Sequence, residues 1–224
     1  MAIIMVIGLL TMKPIVQDLS YHSFADKRSI LGIQNFWNVI SNLPFLLVGL
    51  LGFVNLLKKK GGNLQLKVFY IGVALVAFGS GYYHYAPNNE TLVWDRLPMT
   101  IAFMGLFSFV ISDYLNEKIG KTLLVPLLVF GLISIVYWEI YDDLRLYVFV
   151  QFYPILMIPI VLIFFKKEHH KNNAFWLLLI CYIVAKLVEY YDEESYKMFD
   201  FISGHSLKHL SASLGVYLFY RTYK

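Results

Sequence analysis

Apolar positions along this chain do not alternate; they run in long blocks separated by short polar stretches. Seven such blocks stand out, at about residues 36–57, 66–86, 96–115, 121–139, 146–165, 174–191 and 201–220. A helix rises about 1.5 Å per residue and a bilayer's hydrocarbon core is about 30 Å thick, so each block is of crossing length. The pattern predicts an all-α integral membrane protein, a seven-transmembrane helix bundle. Pro44, Pro98, Pro126, Pro154 and Pro159 fall inside the blocks. Membrane helices tolerate proline where neighbours satisfy the freed backbone groups. Residues 1–12 are apolar apart from Thr11 but too short to span, and no positive start marks them as a signal peptide. They are expected to pack against the bundle or lie at its interface. We read 1–34 as a short hydrophobic start followed by a polar segment, and 35–224 as one membrane domain, since no linker-like segment divides it.

The polar stretches set an orientation. Lys58, Lys59, Lys60 and Lys67 crowd the first loop, Lys118 and Lys121 mark the third, and Lys166, Lys167 and Lys171 fill the fifth, while Arg221 and Lys224 end the chain. The alternate loops differ: 86–93 has no Lys or Arg, 141–145 holds Asp142 and Asp143, and the sixth holds Asp192, Glu193 and Glu194. Basic loops face the cytoplasm, which puts the N-terminus outside and the C-terminus inside. A bacterial inner membrane or its equivalent is the expected location.

Composition agrees. The chain is 58% hydrophobic and only 15% charged, below the roughly 25% of a soluble domain. Its net charge of +4 sits in the loops, where topology explains it, so nucleic acid is not an expected partner. Cys181 is the single cysteine, which rules out an intrachain disulfide and leaves too few thiolates for a metal site. Nothing in the sequence specifies an oligomeric state. Tyr82, Tyr83, Tyr190 and Tyr191 read as an interfacial aromatic belt.

Ionisable groups inside a membrane block are costly and point to function. His205 and His209, four apart, share one face of the last block. Alone, the pair also fits two hydrogen-bonded core histidines or half of a haem site. Ser80 and His84 are likewise four apart near the outer end of the second block, and Asp95 opens the third. The alternation of spans brings all five residues to a similar depth, and the loop charges that fix it owe nothing to them. Three neutral imidazoles plus a water give the coordination of a catalytic zinc with one open position. Asp95 is then placed to orient and deprotonate water. Ser80 is either a donor to developing charge on a carbonyl oxygen or a group holding a ligand in place. His22 has no partner at a fixed spacing. Lys208 lies on another face, snorkelling outward or pairing with an acid.

The combination Ser80-x-x-x-His84, Asp95 and His205-x-x-x-His209 resembles the alkaline ceramidase family, within a superfamily of seven-span membrane hydrolases that includes the adiponectin-type receptors. Asn35-Phe36-Trp37-Asn38 and Ser41-Asn42 resemble the start of its first span. The resemblance implies a zinc amidohydrolase that cleaves a ceramide-like membrane lipid to a fatty acid and a sphingoid base or related amine. It makes His84, His205 and His209 the Zn2+ ligands, Asp95 the proton shuttle and Ser80 the oxyanion stabiliser. Animal members bind Ca2+ through acids before the first span. Here Asp26 and Asn35 are the weak candidates, with Lys27 and Arg28 opposing a cation, so calcium and strict ceramide specificity are not expected. The alternatives are a seven-span receptor or sensor with little or no hydrolysis, and an ion path along Lys186, Glu189, Asp192 and Glu193.

Overall fold

The computed structural model describes Gly8 and residues 11–59, 61–165 and 171–223. The apolar start, Lys60, the basic loop 166–170 and Lys224 lie outside the described residues, so the expectation for residues 1–12 is not resolved by them. The described secondary structure is helical: α1 (Phe36–Ile40), α2 (Leu43–Lys58), α3 (Leu64–Tyr85), α4 (Asn89–Val110), α5 (Glu117–Tyr141), α6 (Arg145–Phe164), α7 (Asn172–Tyr190), α8 (Asp192–Phe199) and α9 (Gly204–Tyr223). Six stretches are long and apolar enough to cross a membrane, from Phe36–Lys58 (α1 with α2) through α7. The seventh expected span corresponds to α9, whose 20 residues are too polar to join that set. Its polarity has a location. His205, Ser206, His209 and Ser213 are all buried against the bundle, while Leu210 and Leu214 are exposed.

The same inversion runs through the rest. Leu47, Leu50, Leu51 and Val54 of α2, and Val125, Val129, Leu132 and Val136 of α5, are exposed, as a lipid-facing surface requires. Polar ties lie inside. Gln65 donates to the Ser108 carbonyl at 2.7 Å and the Ser112 hydroxyl at 3.0 Å, and Ser108 donates to the Gly120 carbonyl at 2.9 Å, joining α3, α4 and α5. Without water to satisfy them, such groups hold helices together.

Two expected boundaries move. The third span begins at Asn89 rather than near 96, because Asn88 and Thr91 form a reciprocal capping box that starts the helix within the loop. Asp95 therefore sits in the second turn of α4. The first span is broken at Ser41-Asn42, between α1 and α2. Before it, the polar segment folds back onto the helices. The amide of Ile15 donates to Asp143 at 3.2 Å, that of Leu144 donates to the Ile15 carbonyl at 2.8 Å, and Arg145 reaches the Met12 carbonyl at 2.7 Å. Further on, Phe24 joins Tyr83, Leu92, Trp138 and Tyr147 in a buried apolar cluster.

α3 packs extensively on α4, and the pair carries Ser80, His84 and Asp95. Gly72 and Gly79 make that approach possible. A Cβ at Gly72 would lie 2.6 Å from the Ala102 amide nitrogen, and one at Gly79 would collide with the Trp94 carbonyl oxygen, whereas Gly81 has open space. Gly79→Ala is expected to cost about 1–3 kcal/mol by overpacking. Gly81→Ala should be neutral or slightly stabilising through helix propensity. Thermal unfolding midpoints of the two variants in one detergent check the contrast.

Candidate metal centre

His84 comes from the last turn of α3, and His205 and His209 from the first two turns of α9. All three are buried, at 0%, 5% and 5% exposure. Their ring nitrogens lie within 4.8 Å of one another, and the Nε2 atoms of His84 and His205 are 3.3 Å apart. For tetrahedral zinc with Zn–N of about 2.0–2.1 Å, ligand nitrogens stand about 3.4 Å apart. The cluster has that scale.

The donor set also fits an ion. His84 turns one ring nitrogen toward another imidazole nitrogen, and its Nδ1 is buried without a hydrogen-bond partner among the described residues. Burying an imidazole so poorly satisfied is unfavourable, and a cation shared by three rings supplies the missing interaction. His209 is prepared for that role. Ser41 lies 2.8 Å from its Nδ1 and 3.3 Å from the Asn38 carbonyl. With the serine proton donated to that carbonyl, the hydroxyl accepts from Nδ1–H, which leaves the Nε2 lone pair free.

The surrounding chain fixes the three rings from both ends. Asn35, the left-handed residue that starts α1, donates to the His84 carbonyl at 2.8 Å. Asp192 accepts from the backbone amide of His205 at 2.6 Å and from that of Ala25 at 2.9 Å, so it caps α9 and holds the N-terminal segment at once. Asn38 accepts from Ser206 at 2.7 Å and donates to the Asp26 carbonyl at 3.1 Å. Phe24 packs its ring 4.8 Å from His84 and 4.6 Å from His205.

Beside the cluster lies a cavity of ≈ 320 Å³. Ser80, Asp95 and His209 line one end of it. Arg96, Lys186, Glu189 and Lys208 line it as well, and an apolar part includes Val73, Phe69, Phe175 and Val216. Ser80 to Phe69 is eleven residues along α3, or about 16 Å of helix. Ser80 and Asp95 both line the cavity, on α3 and α4. The five site residues expected from the sequence therefore gather at one end of the bundle, with the histidines clustered and Ser80 and Asp95 facing the cavity that His209 also reaches.

The calcium candidates do other things. Asp26 is held by Arg28 at 2.9 and 2.7 Å, and Arg28 also donates to the Phe201 carbonyl at 2.6 Å. Tyr83 is not part of an interfacial belt: it is fully buried on the inner face of α3. Its hydroxyl lies 2.9 Å from Nδ1 of His22, whose other ring nitrogen is 2.9 Å from Asn89. Lys186 and Glu189 pair at 2.7 Å, as their spacing allows, and Lys208 joins them at 2.5 Å. Sequence reasoning missed Ser41, Asp192 and Phe24 as supports of the histidines. For Ser41 the family-like Ser41-Asn42 was the available signal; Asp192 looked like an ordinary loop acid.

A family model described as Ceramidase matches residues 31–224. The chain belongs to the ceramidase family. Curated proteins yield no match. Membership in the ceramidase family supports a ceramidase-like hydrolase acting on amides, and does not favour the receptor alternative. The three buried histidines of this ceramidase-family chain are positioned to bind a metal.

Loss of the orienting hydroxyl in Ser41→Ala is expected to weaken zinc binding by about 10–100-fold. Competition with a chromogenic chelator measures it. The double variant His205→Ala, His209→Ala should retain no zinc by metal analysis.

Proposed function

We propose that this protein is a zinc-dependent hydrolase that cleaves the amide bond of a ceramide-like membrane lipid, releasing a fatty acid and an amine. The observation that carries the reading is the join between the histidine cluster and the cavity: three buried imidazoles stand next to a serine and an aspartate that open onto an apolar recess. A lipid amide needs both, a polar end for the reaction and an apolar run for its hydrocarbon.

A zinc ion held by His84, His205 and His209 would supply a Lewis acid and lower the pKa of water to about 7. Asp95 accepts a proton from the attacking water and delivers it to the departing nitrogen, which cannot leave as an anion. The C–N bond breaks, a C–O bond forms, and the acyl group leaves as a carboxylic acid. Ser80 donates its hydroxyl to the carbonyl oxygen as negative charge develops there. The apolar walls exclude bulk water and strengthen both interactions.

We read α9 as the seventh span. Its 20 residues correspond to about 30 Å of helix, and its polar side chains face the bundle interior, so lipid meets Leu210 and Leu214 instead. Basic loops then place the N-terminus outside, the C-terminus in the cytoplasm and the site toward the outer face. We read Asp26 as braced by Arg28, which leaves it a weak candidate for Ca2+. The support is that the guanidinium occupies both carboxylate oxygens.

Asp95→Asn should keep its zinc and lose fatty-acid release from a ceramide-like lipid by about 10²–10⁴-fold. Turnover undiminished in that variant would overturn the mechanism.

A further inference from the structure

The cavity holds more positive charge than amide hydrolysis uses. Arg96, Lys186 and Lys208 line it against only two carboxylates, Asp95 and Glu189. Glu189 is already shared, with Lys186 at 2.7 Å and Lys208 at 2.5 Å. Arg96 follows Asp95 on α4, is 6% exposed, and forms no ion pair among the described residues. Among the described residues its one hydrogen bond runs from Nη2 to the Gln17 side-chain oxygen at 2.6 Å, and Nη1 is buried with no partner there. Aromatic rings cover the guanidinium, with Trp138 at 4.3 Å, Tyr147 at 4.8 Å and Tyr21 at 5.7 Å from its carbon.

Those rings stabilise the charge but do not accept its in-plane N–H groups. A guanidinium stays ionised, and its fork of donors matches the paired oxygens of a carboxylate or phosphate. Tyr21, from the polar N-terminal segment, stands within electrostatic reach of Arg96, Asp95, Lys186 and Glu189. Burial pushes its phenol above the ordinary range, so it remains a neutral hydroxyl at this polar end.

We propose that Arg96 is the centre of an anion subsite, and that the lipid amide cleaved here carries a carboxylate or phosphate on its amine half. Taking the position of the amide from the hydrolytic reading above, the anion sits in the same cavity as the proton-relay carboxylate, within electrostatic reach of it. The hydrocarbon fills the recess toward Phe69 and Phe175. The hydroxyls of a neutral head group leave the charge on Arg96 uncompensated, and sites built around a polar partner discriminate strongly against ligands that lack it.

The test uses zinc-loaded, full-length protein in detergent and three palmitoyl amides: of glycine, of ethanolamine phosphate and of ethanolamine. In the wild type, at least one anionic amide should exceed the neutral one in kcat/KM by about tenfold or more. The two anionic arms separate carboxylate from phosphate. Arg96→Gln should pull that ratio toward one, and Arg96→Lys should restore part of it. Equal turnover of charged and neutral amides by the wild type would overturn the proposal. So would an Arg96→Gln loss that is the same for all three, since that marks a brace for Gln17 and the aromatic rings. Binding of uncleavable analogues, with a methylene in place of the amide nitrogen, is measured in parallel. If no amide is hydrolysed yet the anionic analogue still binds about tenfold more tightly through Arg96, the subsite stands and the hydrolytic reading fails. Binding that ignores charge removes the subsite whatever the turnover.

Discussion

The contact between His84 and His205, nitrogen to nitrogen at 3.3 Å across 121 residues of sequence, is the constraint on which the rest of the molecule turns. Three imidazoles brought together in an apolar bundle have lost their water and must be compensated. Every irregular feature nearby serves that end. The left-handed turn at Asn35 presents an amide to the His84 carbonyl. The break between α1 and α2 exposes Ser41 to His209. The short helix α8 begins with the carboxylate that caps α9. Regular spans could have been built without any of these departures; a histidine cluster could not.

The spans were legible because lipid acts on every exposed side chain in the same way. Runs of Leu, Val and Ile therefore report α2 to α7 directly, and most of their ends fall within a few residues of expectation, the starts of α2 and α4 excepted. The histidines, Ser80 and Asp95 were legible for the opposite reason, since polar groups are rare enough in such runs to stand out. What escaped was polarity that looked ordinary where it stood. Ser41, Asn38 and Asp192 lie at span ends or in loops, where such residues are commonplace, and only tertiary contacts separate a support from a surface group. Tyr83 shows the limit of composition: Tyr82, its neighbour, is exposed on α3, and helix rotation alone decides which of them is buried.

α9 joins these two ways of reading. A helix whose inward face carries two histidines, two serines and a lysine cannot score as apolar on average, yet that polar face is turned into the bundle. Hydropathy averages around the axis, whereas the membrane meets only one side of it. α9 packs mainly against α7 and α2, so its placement depends on helices from both halves of the chain.

One feature of the Asp192 carboxylate reaches into how the protein is made. It receives amides from Ala25, near the beginning of the chain, and from His205, near its end. During synthesis the first of these emerges long before the second, and its acceptor does not exist until the sixth apolar helix has been inserted. The Ala25 part of the N-terminal segment must therefore wait for this tie through most of translation, although Ile15 and His22 find partners earlier. Closure of the centre follows completion of the last helix, and a nascent chain that stalls earlier is chemically inert.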